Sequence, residues 1–175
     1  KLAYRDTLTG TVAGDFFVQQ NPSHAAGLGD LANDMIIYGS KLYIVMNGSG
    51  NVTVLNAANA AFISQISFGG TTANKSPRSA IGAAGKVFVT AFDNTVSVID
   101  TATLSITATI PVGASPEGMA VWNNYLYVAN SGGLNYPDYD STVSVIDMGT
   151  LTEFKKIKVG LNPQKIEVNS VGEIY

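Results

Sequence analysis

The sequence predicts an all-β chain of four-stranded antiparallel blades, a β-propeller, and three observations carry that prediction. A hexapeptide occurs twice letter for letter, as Thr95-Val96-Ser97-Val98-Ile99-Asp100 and Thr142-Val143-Ser144-Val145-Ile146-Asp147, with a weaker copy at Asn51-Val52-Thr53-Val54-Leu55-Asn56. The unit around it also recurs: repeats start near residues 32, 77, 116 and 163, which are 45, 39 and 47 residues apart. Each unit holds short apolar runs separated by turn residues, and no segment sustains a 3.6-residue period. Four short strands in such a repeat make a propeller blade. A β-sandwich also has many short strands but would not repeat a hexapeptide.

The chain opens inside the pattern. Leu2, Tyr4 and Asp6 match Val96, Val98 and Asp100, Thr7 to Gly10 form a turn, and Val12 to Val18 read as a further strand. Residues 1–31 are therefore expected to supply the second half of a blade, ending in a long polar connection from Gln19 to Leu31. Blade 32–76 has strands at 35–38, 42–46, 52–55 and 62–68. The run Leu42 to Met46 is almost wholly apolar, as in a strand buried on both faces. The hexapeptides instead alternate β-branched and small polar residues, the pattern of one buried face. Each closes on Asp or Asn, which bends the chain by accepting its own backbone N–H groups. Blade 77–115 has strands at 79–81, 87–90, 95–99 and 105–112, and blade 116–162 at 118–122, 125–129, 142–146 and 153–159. A half blade, 163–175, begins another repeat with Ile166-Glu167-Val168 and stops at Ile174-Tyr175. The two halves would close a four-bladed ring if they paired. Because Lys1 and Tyr175 both fall inside strand patterns, a piece of a larger ring is expected instead.

Composition narrows the function. The 175 residues are 46% apolar, enough for a packed domain, and only 13% charged with a net charge of −3. No basic stripe is present to follow phosphates, so nucleic acid is not an expected partner. No apolar run approaches the roughly 20 residues of a membrane-spanning helix. There is no cysteine, hence no disulfide or thiolate metal site. Frequent Asn, Gly, Ser and Thr with scarce Lys and Glu point to an extracellular or periplasmic protein. No signal peptide is visible at Lys1.

The run Pro116-Glu117-Gly118-Met119-Ala120-Val121, then Leu126-Tyr127-Val128-Ala129-Asn130, then the Thr-Val-Ser-Val-Ile-Asp hexapeptide, resembles the YVTN-type propeller repeats of bacterial and archaeal surface proteins. Phe88-Val89-Thr90-Ala91 departs from the tetrad. The stretch Asn33 to Val45 resembles a narrower group, secreted propellers of gut Bacteroidetes that are usually seven-bladed and often surface lipoproteins. Some of that group capture cobalamin for an outer-membrane transporter. The resemblance therefore implies a cell-surface location, a corrinoid as candidate ligand and a transporter as candidate partner.

The loop lengths locate a candidate site. In a propeller the first strand lines the central channel, and the loops after strands two and four open on one face. The link 69–76 is five residues longer than 113–115, the loop 130–141 is eight longer than 91–94, and 19–31 is long too. All three insertions fall on that face, and loops of this kind usually carry recognition. The expected ligand-binding residues are Tyr136 and Tyr139 on the long insertion, Phe92, Asn130 and Asn47 after second strands, and Arg78 and Glu117 at the channel mouth. Tyr offers a stacking face and a hydroxyl at small entropic cost. Asn33, Arg78, Glu117 and Gln164 each stand one past a repeat start and should meet at the mouth. Tyr136 and Tyr139 serve equally well to pack the loop onto its blade.

Other candidates carry less. Asp138 and Asp140 stand two apart, but further oxygen ligands for Ca²⁺ are not identifiable, so no metal site is expected. His24, the one histidine, lacks a partner for base catalysis and reads as a solvated loop residue. Tyr38 and Trp122 end equivalent strands and read as packing residues. The triplets at Asn47, Asn51 and Asn74 matter only in a eukaryotic secretory host. The expectation is a non-catalytic ligand-binding propeller without a cofactor. The alternative is a structural or protein–protein interaction propeller of a surface layer or envelope complex. A quinoprotein or haem enzyme comes third, having no haem-attachment cysteine pair.

Overall fold

The computed structural model describes residues 2–69 and 75–175. Three four-stranded antiparallel sheets follow one another along the chain, each a meander of neighbouring strands. The first blade contains β3 (Ala32–Tyr38), β4 (Lys41–Met46), β5 (Asn51–Asn56) and β6 (Phe62–Ser67). The second contains β7 (Pro77–Ala83), β8 (Lys86–Ala91), β9 (Thr95–Asp100) and β10 (Ser105–Pro111). The third contains β11 (Pro116–Trp122), β12 (Tyr125–Asn130), β13 (Thr142–Asp147) and β14 (Thr152–Lys158). The first strands β3, β7 and β11 are neighbours in space, so the blades radiate from a common axis. Among the described residues the sheets do not close into a ring.

Before the first blade, β1 (Tyr4–Arg5) pairs with β2 (Val12–Ala13) as a two-stranded hairpin. Its turn is the same device used between third and fourth strands in every blade. Asp6 Oδ1 accepts N–H groups from Leu8 and Thr9; Asp100 Oδ1 does so from Ala102 and Thr103, and Asp147 Oδ1 from Gly149 and Thr150. In the first blade Asn56 Oδ1 accepts from Ala58 N. Each turn then closes with the backbone N–H of Gly10, Ala60, Leu104 or Leu151 on the carbonyl of its Asp or Asn. Those four residues all have positive φ. After the third blade, Val168 and Ile174 form a single antiparallel bridge rather than two full strands.

The expected strand from Val12 to Val18 is corrected. The pairing ends at Ala13, Asp15 turns left-handed at φ 52°, and Phe16–Gln20 form a short helix, α1. A 3₁₀ turn, Pro22–His24, follows. Burial overrides β-propensity here: the turn of helix drives Phe17 down to 3% exposure against Ile44, Met46 and Leu55. Asn21 then ties α1 to the first blade, donating to Phe17 O and Ala60 O and accepting from Phe62 N.

The core lies between blades rather than within one sheet. Tyr43, Val45, Val52 and Val54 of the first blade pack on Ala80, Val87 and Val89 of the second. Phe88, Val96 and Val98 pack in the same way on Leu126, Val128 and Ile146 of the third. Blades therefore stack on both faces of the middle strands, and the one-face reading of the hexapeptides is corrected. Thr53, Ser97 and Ser144 are as buried as their apolar neighbours. Small hydroxyl residues fit there because they take little room and can bond inside the sheet. Two aromatic knobs lock the stacking. The Tyr38 ring sits where a side chain at Gly82 would be, and its hydroxyl accepts from Gly85 N at 2.9 Å. Trp122 likewise occupies the space over Gly172.

Candidate functional site

The antiparallel meander puts the start of each first strand, the end of each second strand and the end of each fourth strand at one end of the blade. Backbone bonds weld this end together. Asn47 N donates to Leu31 O, Phe92 N to Ser76 O and Ser131 N to Ser115 O, so each loop after a second strand is tied to the link entering its own blade. Of the link 69–76, residues 70–74 lie outside the described residues, as does Asn74 of the third glycosylation triplet.

At the axis, the residues one past each repeat start converge. Arg78 on β7 makes two parallel bonds to Glu117 on β11: Nε to Oε2 at 3.1 Å and Nη2 to Oε1 at 3.0 Å. Its Nη1 donates to Asn33 Oδ1 at 2.8 Å, and Asn33 Nδ2 donates back to Arg78 O at 2.7 Å. The guanidinium carbon lies 4.5 Å from the centroid of the Phe92 ring. Three blades thus hold one arginine in a fixed plane, with 24% of its side chain exposed and 17% of that of Glu117. Asn33, Arg78, Glu117 and Gln164 line one shallow depression of about 250 Å³.

Asp34, to which the sequence reading assigned no role, welds the neighbouring position. Its Oδ2 accepts from Ser79 Oγ and Ala80 N, both at 2.8 Å, across the blade boundary. Thr90 adds a second weld, accepting Ser79 N and donating to Glu117 O. No sequence signal marks the bonds that cross a blade boundary, because Asp34 lies 45 and 46 residues from its partners and Thr90 lies 27 from Glu117.

The other expected site residues separate by burial. Asn130 is fully buried: its Oδ1 accepts from Gly113 N at 3.1 Å, and its Nδ2 donates to Thr142 Oγ1 and Ser144 Oγ, both at 2.9 Å. It ends β12 inside the blade and presents nothing to a ligand, which corrects its assignment. Asn47 is half-buried and donates from Nδ2 to Pro77 O at 3.0 Å, bridging the first and second blades. Tyr136 is 80% exposed, with Tyr139 edge-on to it at 6.0 Å between ring centroids.

The insertion carrying these tyrosines is anchored at both ends. Gly132 N donates to Ala114 O, Asn162 N donates to Asp140 O, and Ser131 Oγ donates to Ser115 O. Asp140 Oδ2 accepts from Ala114 N at 2.9 Å, while Oδ1 accepts from Ser141 N at 2.6 Å and Thr142 Oγ1 at 2.7 Å. Partial burial pushes the Asp140 carboxyl up, but the bonds from Thr142, Ala114 and Ser141 outweigh it and hold it below its ordinary value. Asp140 is thus a loop anchor. Among the described residues no group of three or more His, Asp or Glu side chains is placed to hold a metal ion. His24 is not a free loop residue: its ring stacks on Phe62 at 4.1 Å and meets Phe17 edge-on.

Larger hollows, of about 390 to 470 Å³, lie beside the N-terminal hairpin. They are bounded by side chains such as Leu2, Phe16, Met35, Ile37 and Leu42. Met35 is 53% exposed and Ile37 67%, whereas Ala80, the counterpart of Met35 in the second blade, is 7% exposed under the first. Two of these hollows lie against the side of β3 that carries Met35, the side which in the second blade is covered by the first.

No protein-family model matches the chain, and no curated protein matches it. Solved structures do. A Kuenenia stuttgartiensis hydrazine synthase structure superposes with a TM-score of 0.71 at 21% identity, over 81% of this chain and 40% of that one. The WD40 β-propeller domain of Doa1 gives 0.66 at 13% identity, over 82% and 46%. BamB from Moraxella catarrhalis gives 0.57 at 18%, over 80% and 42%. The chain spans less than half the length of each. At these identities the likeness is one of fold, and that fold is the β-propeller. Among the described residues no helix is long and apolar enough to cross a membrane.

Proposed function

We propose that this chain is part of a non-catalytic propeller that binds a ligand on its loop-rich face. The observation that supports it best is the preset cluster at the channel mouth. Arg78 is fixed by Glu117, Asn33 and Phe92 and still partly exposed. A polar group already held in place loses little freedom on binding, so its hydrogen bonds add directly to affinity. The cluster pairs Arg78 with Glu117, and its one hydroxyl beside a carboxylate, Ser79 on Asp34, shares that oxygen with Ala80 N as a weld between blades, which suits recognition rather than turnover. The fold alone is shared by proteins of unrelated activities, so the site has to carry the argument.

The finer reading follows the YVTN-type and gut Bacteroidetes resemblance: a cell-surface protein whose ligand is a corrinoid, passed to an outer-membrane transporter. A broad amphipathic ligand needs a platform of aromatic and amide contacts, and Tyr136, Tyr139, Phe92 and Arg78 are of that chemistry. Calorimetry with cobalamin tests it. Tyr136→Ala with Tyr139→Ala should weaken binding by about 2–4 kcal/mol if the rings are anchors, while leaving the melting temperature nearly unchanged. No heat at high micromolar cobalamin removes the corrinoid.

The crest of the insertion favours a second reading, a protein-interaction propeller. Leu134 is 66% and Tyr136 80% exposed on a loop whose base is rigidly bonded. An apolar crest on a stiff support is the form of an anchor residue at a protein interface.

A further inference from the structure

We propose that Glu117 sets the ligand class at the channel mouth: with Glu117 in place the mouth accepts uncharged hydrogen-bonding ligands and turns anions away. This inference rests on the ligand-binding reading of the loop-rich face and deepens it. An arginine at the mouth of a channel would ordinarily mark a site for carboxylate or phosphate, through two parallel N–H bonds. Here that pair of donors, Nε and Nη2, is already engaged by the Glu117 carboxylate at 3.1 and 3.0 Å. Nη1 is held by Asn33. The guanidinium retains one hydrogen on Nη1 and one on Nη2 for further hydrogen bonds, but its side-on fork is taken and its charge is already balanced by the carboxylate beside it.

The charge balance points the same way. Four ionisable side chains from four repeats line the depression: Asp34, Arg78, Glu117 and Lys165. They are two negative and two positive, so the mouth is neutral as a whole. An anion drawn to Lys165 would also approach the Glu117 and Asp34 carboxylates, and a cation would meet Arg78 and Lys165. A ligand bearing amide or hydroxyl groups meets no such opposition and can use the Gln164 amide and the remaining Arg78 hydrogens.

Glu117→Gln tests the assignment without an identified natural ligand. Gln is nearly isosteric and keeps one acceptor for Arg78, but it leaves the guanidinium charge uncompensated. Inorganic phosphate is the probe, followed by phosphorus NMR titration at pH 7.5 in low salt. Wild type should show no saturable binding. Glu117→Gln should show saturable binding, with a midpoint at least about tenfold below the highest phosphate concentration that leaves wild type unchanged, and should lose it at high salt. Adding Arg78→Gln to Glu117→Gln should abolish the gain. If Glu117→Gln does not fold, Gln164→Lys supplies the contrast, since it adds one positive charge at an exposed position and leaves the Arg78 pair intact. Wild type binding phosphate as well as the variants, or native-folding variants that gain none, overturns the proposal. Cobalamin titrated in parallel keeps the two readings apart. Its failure to bind counts against the corrinoid reading alone, and a missing phosphate contrast counts against the role of Glu117 alone.

Discussion

Asn130→Ala removes three side-chain hydrogen bonds from a fully buried position. Each is worth about 1 kcal/mol net, and the stranded Gly113 N–H, in a buried residue, adds about 1 kcal/mol more. The loss in stability should therefore be about 4 kcal/mol. For a chain of this size that corresponds to a fall in melting temperature of about 8–16 °C. Gly113 makes collapse around the shortened side chain difficult, because it already packs directly on the Asn130 amide. Thermal unfolding followed by circular dichroism measures the effect, with ligand binding measured separately well below the transition. The reasoning separates two roles that residue type alone does not. A ligand-contacting Asn130 would lose affinity on truncation and keep its stability; the buried one should lose stability and keep affinity. A variant melting within about 2 °C of wild type would refute the burial argument.

Asp140→Asn should destabilise the third blade at neutral pH and matter progressively less in acid. The folded carboxyl is held below its unfolded value, so its contribution is present above about pH 4 and is lost as pH falls through the folded value. Melting curves of both proteins from pH 7 to pH 3 should converge, and a gap that stays constant would assign the effect to something other than ionisation. Gly82→Ala should cost about 1–3 kcal/mol by overpacking, because its Cβ would land on the Tyr38 ring. Tyr38→Ala should recover part of that loss in a double-mutant cycle, and additive losses would show that the two positions are not in contact.

The strands expected of the three whole blades form, each set as one four-stranded sheet, and the turns after third strands are legible residue by residue. The reason is local. A run such as Thr95 to Asp100 carries its own β-branched residues and its own Asp cap, so the same six residues form the same strand and turn wherever they stand. Where the local signal was weak, packing decided. Phe16 to Gln20 has the composition of a strand and becomes helix, because Phe17 is needed over Ile44 and Leu55.

The periodicity of the sequence determined how many strands the three whole blades have, in what order, and which residues return to the channel mouth in each repeat. Arg78 and Glu117 were placed together on that ground, 39 residues apart. Only the tertiary structure decided what each polar residue does there. It turned Asn130 inward to bond Gly113, Thr142 and Ser144, gave Asp34 to Ser79 and Ala80 of the next blade, and closed Arg78 onto Glu117. Repeats are read along one chain, but these bonds run across blade boundaries. The partner of a polar side chain is set by how far each blade is rotated about the axis. That rotation comes from side-chain packing between sheets, such as Tyr38 against Gly82, and not from any residue's neighbours in sequence.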